Sequence, residues 1–142
     1  MNIILLSVYL ATLAFNGSAD KSSVIVSVTN LKVQKGIMEI SLYNKPETYP
    51  IEGKEYRKIR EAVTGPELKC VFKDLPPGEY AVALYHDENC DGKCNVNIIG
   101  YPKEGFGFSN NVKPFLTAPS FRNAKFNLPA GKIVALSIRL LQ

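Results

Sequence analysis

Alternating apolar and polar residues recur in short runs along most of the chain after residue 23. In each run every second residue is apolar, which is the pattern of a β-strand with one buried face. The runs lie at residues 24–28, 38–42, 68–72, 124–128 and 134–140. Glycines and prolines separate them, so the pattern predicts several short strands and no long amphipathic helix.

One further run, at residues 79–86, differs because both of its faces are apolar. Tyr80, Val82 and Leu84 share one face, and two alanines and a tyrosine share the other. A Pro-Pro-Gly turn precedes the run. Apolar residues on both faces indicate a strand that is covered on both sides. We therefore expect residues 79–86 to form the central strand.

Two connections complete the predicted architecture. Lys35–Gly36 is typical of a hairpin turn, here between the first two strands. Residues 44–66 follow no clean period, and prolines and glycines interrupt them, so we expect a long surface loop with one helical turn near residues 56–62. About seven short strands without a convincing helix favour an all-β fold, an antiparallel β-sandwich.

The first 19 residues differ in composition from the rest. They contain no charged side chain, and their apolar stretch at residues 3–15 is too short to span a bilayer easily. Small residues follow it, at positions that a signal peptidase recognises, although no Lys or Arg precedes it. We predict a secretory signal peptide at residues 1–19 and a single β-sandwich domain at residues 20–142. The protein would then be secreted or periplasmic.

The charge pattern argues against a nucleic-acid partner. The formal net charge of the 142-residue chain is +4, and the basic residues are scattered, with one modest cluster at Lys54, Arg57, Lys58 and Arg60. A solvated loop accounts for this cluster better than a nucleic-acid surface, because no recognition motif accompanies it. No later segment is long and apolar enough to cross a membrane.

The acidic, amide-rich loop after the central strand is the candidate functional site. Asp87, Asn89 and Asp91 are spaced by two residues, and Gly92 follows them. A loop that coils around Ca²⁺ needs this spacing, because alternate side chains then point inward and glycine permits the sharp turn. The alternative is that these residues simply form a polar turn.

Further oxygen ligands would have to complete such a site. Lys93 could supply its backbone carbonyl, Asn95 could bind directly or through water, and Glu104 is the nearest additional carboxylate. Ile98 occupies the position where an EF-hand needs a bidentate glutamate, so the loop is not an EF-hand. With few charged ligands, we expect weak Ca²⁺ binding, with a Kd of about 10⁻⁴ to 10⁻³ M.

Two cysteines in this loop, Cys90 and Cys94, have C-x₃-C spacing. In an oxidising compartment this spacing favours a disulfide that would shape the loop, and a thiolate metal site or two free thiols are the alternatives. Cys70 alternates with Leu68 and Phe72, so we expect it to be a buried free thiol.

Three segments together resemble a family of secreted bacterial proteins called domain of unknown function 2141. They are LPPGEYAVALYHDENCDGK, GYPKEGFGFSNN and APSFRNAKF. The resemblance covers nearly the whole chain after the signal peptide and implies a transthyretin-like or carboxypeptidase-regulatory-like β-sandwich without an established activity, in agreement with the immunoglobulin/transthyretin-like sandwich expected from the strand pattern. The residues that match the family pattern are His86, Asp87, Asn89, Asp91, Gly92, Lys93, Gly100, Pro102, Glu104, Gly105, Gly107, Ser109, Asn110 and Asn111.

The sequence departs from that family where Cys94–Asn95 stands in place of Leu-Asp. The loss of an acidic residue weakens the case for tight Ca²⁺ binding, and we hypothesise that a Cys90–Cys94 disulfide substitutes for part of the metal's role.

Three functions are compatible with these features, and the first is favoured. It is a non-enzymatic domain whose Ca²⁺-ordered loop presents a binding surface to a protein or saccharide at the cell envelope. The second is a carrier of a small apolar or saccharide ligand held by Tyr101, Phe106 and Phe108, although such aromatics more often cover the end of a sandwich. The third is a hydrolase centred on His86, with Ser109 as nucleophile, but no spacing requires that pairing. His86 is otherwise expected to be a buried histidine that hydrogen-bonds the loop backbone.

Overall fold

The computed structural model describes residues 21–142, so the predicted signal peptide lies outside the described residues. Eight strands, one short helix (α1) and one turn of 3₁₀-helix at Ser109–Asn111 make up the fold. In chain order they are β1 (Ser22–Thr29), β2 (Ile37–Tyr43), β3 (Arg57–Ala62), β4 (Leu68–Leu75), β5 (Gly78–Asp87), β6 (Phe106–Phe108), α1 (Phe121–Ala124), β7 (Phe126–Leu128) and β8 (Ile133–Arg139).

The strands form two sheets, which confirms the predicted all-β sandwich. One sheet has the order β4-β1-β8, and the other has the order β3-β2-β5-β6, with β7 paired to the first part of β5. All pairs are antiparallel except β1 with β8, which run parallel from Ser23 opposite Ile133 to Thr29 opposite Arg139. Alternation along a strand reports only which face is buried, so the sequence pattern did not predict this parallel pair.

The predicted hairpin at Lys35–Gly36 is wrong, because β1 and β2 lie in different sheets. The chain leaves β1 at Asn30, which has a positive φ of 68° and whose side-chain amide donates to the Leu140 carbonyl at 2.8 Å. Leu31, only 4% exposed, then anchors the crossing between the sheets in the core. Gly36, with φ 76°, passes against the backbone of Asp87 so closely that a side chain there would clash.

The helical turn predicted near residues 56–62 is also wrong, because Arg57–Ala62 forms the edge strand β3. This strand pairs with β2 in register from Ile37 opposite Ala62 to Leu42 opposite Arg57. Most of its residues are exposed, so it lacks the apolar alternation that marks a strand in sequence. Charged residues on such an edge disfavour pairing with another chain.

The main core lies between the two sheets. Val26, Ile40 and Val82 are among its members, and each is 0% exposed. Cys70 belongs to this core as a free thiol, as predicted, and burial raises its pKa to about 11.

A second apolar cluster covers the opposite, outer face of the five-stranded sheet. It is mostly aromatic, in contrast to the aliphatic main core, and edge-to-face ring pairs join its members. Its buried residues are Tyr43, Tyr49, Ala81, Phe106, Phe108, Phe121 and Ala124. The central strand β5 therefore has apolar contacts on both faces, as the sequence predicts.

The Gly-Phe-Gly-Phe segment at residues 105–108 divides its residues between these two clusters. The glycines face the main core, where a Cβ on Gly107 would lie 2.8 Å from Ile138 Cγ2, and a Cβ on Gly105 would clash with Leu140. Phe106 and Phe108 face outward, opposite Tyr85 and Ala83 of β5. The glycines thus permit close packing of β6 on β8, and the phenylalanines build the outer face.

Within residues 21–142, no helix is long and apolar enough to span a membrane.

Candidate functional site

Asp87 ends β5 and holds the acidic loop in place. Its side chain is fully buried, and its two carboxylate oxygens accept hydrogen bonds from the backbone N–H groups of Asp91, at 3.1 Å, and Gly92, at 2.8 Å. A carboxylate that accepts two backbone N–H groups folds the loop back onto the strand end. Gly92 takes a φ of 74°, as expected for the sharp turn.

Three polar side chains meet further out in the loop. The side-chain amides of Asn89 and Asn95 both donate to Asp91 Oδ2, at 3.1 and 3.0 Å, and Asn89 Oδ1 accepts from the Asp91 N–H at 3.2 Å. The hydrogen bond from Asn95, together with those from the Lys93 backbone N–H and Asn89, lowers the pKa of Asp91. These oxygens and amides therefore form one network around Asp91.

Glu104, only 8% exposed, joins the two ends of the loop. One carboxylate oxygen accepts from the Glu88 N–H at 3.2 Å, and the other accepts from the Asn95 N–H at 3.1 Å. All six predicted metal ligands thus belong to this hydrogen-bonded loop, but only Asn89, Asp91 and Asn95 contact one another through their side chains, whereas Asp87 and Glu104 bind backbone N–H groups.

The fit of this loop to Ca²⁺ is partial. In residues 21–142 no group of three or more His, Cys, Asp or Glu side chains is placed to hold a metal ion. A Ca²⁺ ion needs six to eight oxygens, so most would have to come from amides, carbonyls and water. Asn89 and Asn95 point their NH₂ groups at Asp91 and would have to rotate to offer oxygens. The loop is already held by its own hydrogen bonds.

The predicted Cys90–Cys94 disulfide is absent, because both residues are free thiols. Cys90 is exposed, with a positive φ of 58°, whereas Cys94 is half-buried and contributes to an apolar groove. Burial, with a smaller contribution from Glu104, raises the pKa of Cys94 to about 11. The loop is shaped by the carboxylate and amide hydrogen bonds, and the two sulfurs have different surroundings.

His86 and Ser109 have separate structural contacts. His86 is fully buried, and its Nε2 donates to the Lys35 carbonyl at 2.6 Å, since a carbonyl oxygen can only accept. Ser109 accepts from the Val82 N–H at 2.9 Å and donates to the Ala124 carbonyl at 2.5 Å. Val82 and His86 are four residue steps apart along β5, which is about 13 Å in a strand. The structure therefore does not bring the histidine and the serine together.

The Ser-Asn-Asn segment is explained by its backbone contacts. The Asn110 side chain donates to the Lys125 carbonyl at 2.9 Å. Asn111 donates to the Ser137 carbonyl at 2.9 Å and accepts from the Arg139 N–H at 2.8 Å, which ties the segment to β8. Both asparagines have positive φ, which this residue type tolerates better than most.

An apolar groove of about 610 Å³ lies on the outer face of the five-stranded sheet. This volume falls in the range of small-molecule sites, roughly 300 to 1,000 Å³. Its floor is formed by outward-facing residues of β2, β5 and β6, namely Ser41, Tyr43, Ala83, Tyr85, Phe106 and Phe108. Small residues at Ser41 and Ala83, paired across β2 and β5, leave room for a ligand between the aromatic rings.

Three loops form the walls of the groove. The first, which follows β2, contributes Pro50 and Glu52. The second is the continuation of the acidic loop, with Cys94 and residues 99–102, and the third comprises Pro114 and residues 116–118. All three predicted ligand-binding residues line this groove. Tyr101 packs edge-to-face on Phe106, and Phe106 packs edge-to-face on Phe108.

One end of the groove is polar. The Tyr85 hydroxyl donates to Glu52 Oε1 at 3.0 Å, and burial together with this carboxylate raises the tyrosine pKa. Beside Tyr85, the buried Glu39 pairs with Arg60 of β3. A ligand in the groove would thus meet aromatic rings over most of its length and hydrogen-bonding groups at this end.

The sequence analysis did not identify most of the groove. Tyr85 was recognised only as a member of the second apolar face of the central strand, and Ser41, Tyr43 and Leu116 carried no functional signal. The alternation of aromatic and small residues on the outer row of β2 and β5 could have indicated a groove, because a plain solvent-facing row would be charged.

Comparison with known proteins places the chain in a family. Residues 26–135 match the family described as uncharacterised proteins conserved in bacteria, DUF2141. The chain belongs to the DUF2141 family. This finding confirms the resemblance, and the matched segment begins within β1 and ends within β8. No curated protein and no solved structure matches the chain. In this DUF2141 protein, the groove and the acidic loop are therefore interpreted from their own chemistry.

Proposed function

We propose that this DUF2141 protein is a secreted or periplasmic binding protein that holds a small, largely apolar molecule in the groove on its outer sheet face. The observation that carries the proposal is the groove itself, which is lined by Tyr101, Phe106 and Phe108. Well-formed apolar pockets with a few polar groups at one end are the usual form of a small-molecule site.

The lining favours an apolar ligand over a saccharide. Sugar hydroxyls need several polar partners, and the groove offers few besides Ser41, Glu52, Thr117 and the hydroxyls of its tyrosines. Aromatic side chains, in contrast, line most of the floor and suit a ring or an alkyl chain. The hydroxyl of Tyr85 and the carboxylate of Glu52 would orient a polar group at the end of such a ligand.

The acidic loop takes part because it continues directly into one wall of the groove. Cys94 contributes to the wall, whereas its neighbour Asn95 belongs to the hydrogen-bond network around Asp91. Weak Ca²⁺ binding by Asp87, Asn89, Asp91, Asn95 and Glu104 would fix this wall and strengthen ligand binding. The convergence of these side chains supports this part of the proposal.

A binding role accounts for the chemistry better than catalysis does. Among the described residues, the candidate nucleophile Ser109 is fully buried and engaged with backbone groups of β5 and α1. His86 is likewise buried, and neither residue lines the groove. A catalytic pair would have to face the ligand.

A fluorescent apolar probe, anilinonaphthalene sulfonate, tests the proposal. We expect saturable binding of one probe per chain. Ala83→Leu, which fills the floor, should abolish binding, and Tyr101→Ala should weaken it about tenfold, since each removes or blocks one well-packed contact. Ile133→Ser is the matched control, because Ile133 is exposed but lies at the start of β8 outside the groove.

The Ca²⁺ contribution is tested in the same titration, with roughly 5 mM Ca²⁺ or with a chelator. Probe affinity should rise with Ca²⁺ in the native chain and not in Asp91→Ala, a substitution at an exposed residue. Asp74→Asn, at an exposed aspartate outside the loop whose positive φ asparagine tolerates, should behave as the native chain does. Probe binding that is unchanged by Ala83→Leu would rule out the groove, and a Ca²⁺ effect that persists in Asp91→Ala would rule out the loop.

A further inference from the structure

Two loop tips at the mouth of the groove expose large apolar side chains almost completely. Ile98 and Ile99 are 104% and 82% exposed, and Phe115 and Leu116 are 85% and 94% exposed. Ile99 and Leu116 also line the groove, so the tips stand on two of its walls. We call these four residues the apolar tips.

The backbone of each tip is a tight turn in which an apolar residue is unusual. Ile98 and Ile99 occupy the centre of a four-residue turn that is closed by a 3.0 Å hydrogen bond from the Gly100 N–H to the Asn97 carbonyl. Turn centres usually hold Gly, Asn, Asp, Pro or Ser. This segment therefore does not form the usual polar turn that faces water.

The second tip is tighter still. The Thr117 N–H donates to the Phe115 carbonyl at 2.7 Å, which makes Leu116 the centre of a three-residue turn with a φ of 63°. A leucine disfavours this left-handed region, and an exposed leucine gains no burial in return. Both tips thus hold apolar side chains where neither turn geometry nor the protein core requires them.

Lysines and no acidic residues occupy the two stretches of chain that carry the tips, while Glu104 separates these stretches and lines a polar pocket together with Glu88 and Lys103. Residues 92–103 and 105–122 contain no Asp or Glu, whereas they contain Lys93, Lys103 and Lys113. All three lysines are exposed, and within residues 21–142 none of them forms an ion pair. Exposed apolar side chains accompanied by exposed lysines are the combination that binds an anionic lipid surface.

We propose that the apolar tips insert into the surface of an anionic lipid bilayer, with Lys93, Lys103 and Lys113 contacting lipid headgroups. Docking in this way would place the mouth of the groove against the membrane. An apolar ligand could then pass from the bilayer into the groove. The docking itself does not depend on the groove holding any ligand, so it can succeed or fail separately from the proposed function.

The observations favour a bilayer over a protein partner or a second copy of the chain. The two tips belong to separate loops and protrude, whereas a typical protein interface has aromatic or arginine anchors inside a polar rim. A second copy would bring like-charged lysines towards each other. At the first tip, the backbone N–H groups of Ile99 and Tyr101 already donate to Asn97 Oδ1 at 3.0 Å each, so they are not free to pair with a strand of another protein.

Vesicle sedimentation tests the proposal with the protein recovered after secretion, its N-terminus established by mass spectrometry. We expect at least tenfold tighter binding to vesicles containing phosphatidylglycerol than to pure phosphatidylcholine, and weaker binding at high salt. Ile98→Ser combined with Leu116→Asn should lower affinity about a hundredfold, because two apolar contacts are lost. Asparagine tolerates the φ of position 116, so the variant should fold.

Matched variants separate docking from general adhesion. Ile133→Ser removes an apolar residue that is 69% exposed at the start of β8, and Lys69→Gln removes an exposed lysine of β4. Both should bind vesicles as the native chain does, and any unprocessed N-terminal segment is common to all variants. Equal sedimentation of the native chain and the tip variant, or no sedimentation of either, would overturn the proposal.

A tryptophan reporter gives an independent readout, because the chain contains no tryptophan. The emission of Ile98→Trp should shift to the blue on addition of anionic vesicles, and that of Ile133→Trp should not. A native dimer that the tip variant converts to monomer would show that a second copy covers the tips. A soluble protein that protects Ile98→Trp from quenching while vesicles do not would point to a protein partner. Either result would overturn bilayer docking.

Discussion

The two faces of the five-stranded sheet are made of the same strands but have different chemistry. Along β2, Met38, Ile40 and Leu42 are fully buried against the other sheet. The outer row of β2 and β5 instead combines aromatic side chains with Ser41 and Ala83, and part of that face is an open groove. The inner face is closed by a second sheet, whereas the outer face is covered by loops that leave a cavity. One face therefore accounts for stability and the other for the proposed binding.

The largest effect should come from the inner face. Ile40→Ala should lower the free energy of unfolding by about 2 to 5 kcal/mol, because it leaves a cavity in the closed core. Ala83→Leu, one strand away on the outer face, should change stability by less than about 1.5 kcal/mol. Chemical denaturation of the two variants measures the contrast. Equal destabilisation by both would show that the outer face is packed as tightly as the core.

The next effect concerns the contact between β6 and β8. Gly107→Ala should destabilise by about 1 to 3 kcal/mol, because the new Cβ would lie 2.8 Å from Ile138 Cγ2. Gly65→Ala is the control, since its nearest heavy atom would be 3.9 Å away. Thermal melts distinguish the two. If Gly107→Ala leaves the melting temperature unchanged, Phe106 and Phe108 are not held in place by the packing of the neighbouring glycines on the core.

A smaller loss of stability is expected from substitutions in the acidic loop that continues into the groove wall. Asp87→Ala should cost about 2 kcal/mol, because the Asp91 and Gly92 N–H groups lose their buried acceptor. Asp74→Asn removes only an exposed ion pair with Lys21, and asparagine tolerates the positive φ of 58° at this position, so the substitution should cost less than about 1 kcal/mol. If Asp87→Ala melts as the native chain does, the carboxylate does not hold the loop.

The thiols give the mildest test, because alkylation of the exposed Cys90 requires no change in the fold. In mass-resolved alkylation near neutral pH without reductant, the exposed Cys90 should react first, Cys94 slowly and the core residue Cys70 last. The pKa of Cys94 is raised to about 11 in the folded chain. The contribution of this thiol to the free energy of unfolding is therefore complete below the ordinary thiol pKa and is lost as pH rises through about 11. Its alkylation should therefore accelerate only at that alkaline end. A native chain that resists alkylation until it is reduced would contradict the free thiols.

Periodicity predicted most of the sandwich because core strands carry their own signal. The row of Leu68, Cys70 and Phe72 in β4 and the two-sided β5 are buried as the sequence indicates. The edge strand β3 was missed because its pairing comes from β2 and not from its own apolar residues. Register, sheet membership and the parallel β1–β8 pair depend on contacts between distant segments, which alternation does not encode.

The candidate site shows the same division. Local spacing placed Asp87, Asn89 and Asp91 in one loop, where the Asn89 and Asp91 side chains contact each other and the Asp87 carboxylate binds the Asp91 backbone N–H. The disulfide prediction failed because sequence spacing does not reveal that Cys94 turns towards the groove and Cys90 towards solvent. The groove floor required knowing that Ser41 and Ala83 lie side by side, which only the strand pairing shows.

The most direct test of the binding face is an NMR titration of the isotope-labelled protein with anilinonaphthalene sulfonate. We predict that the amide shifts change at Ser41, Ala83 and Phe108 on the outer face, and at Tyr101 in the loop wall. Amides of the opposite sheet, such as those of Val26 and Val71, should not change. Shifts confined to that opposite sheet, or none at saturating probe, would contradict a ligand site on the outer face.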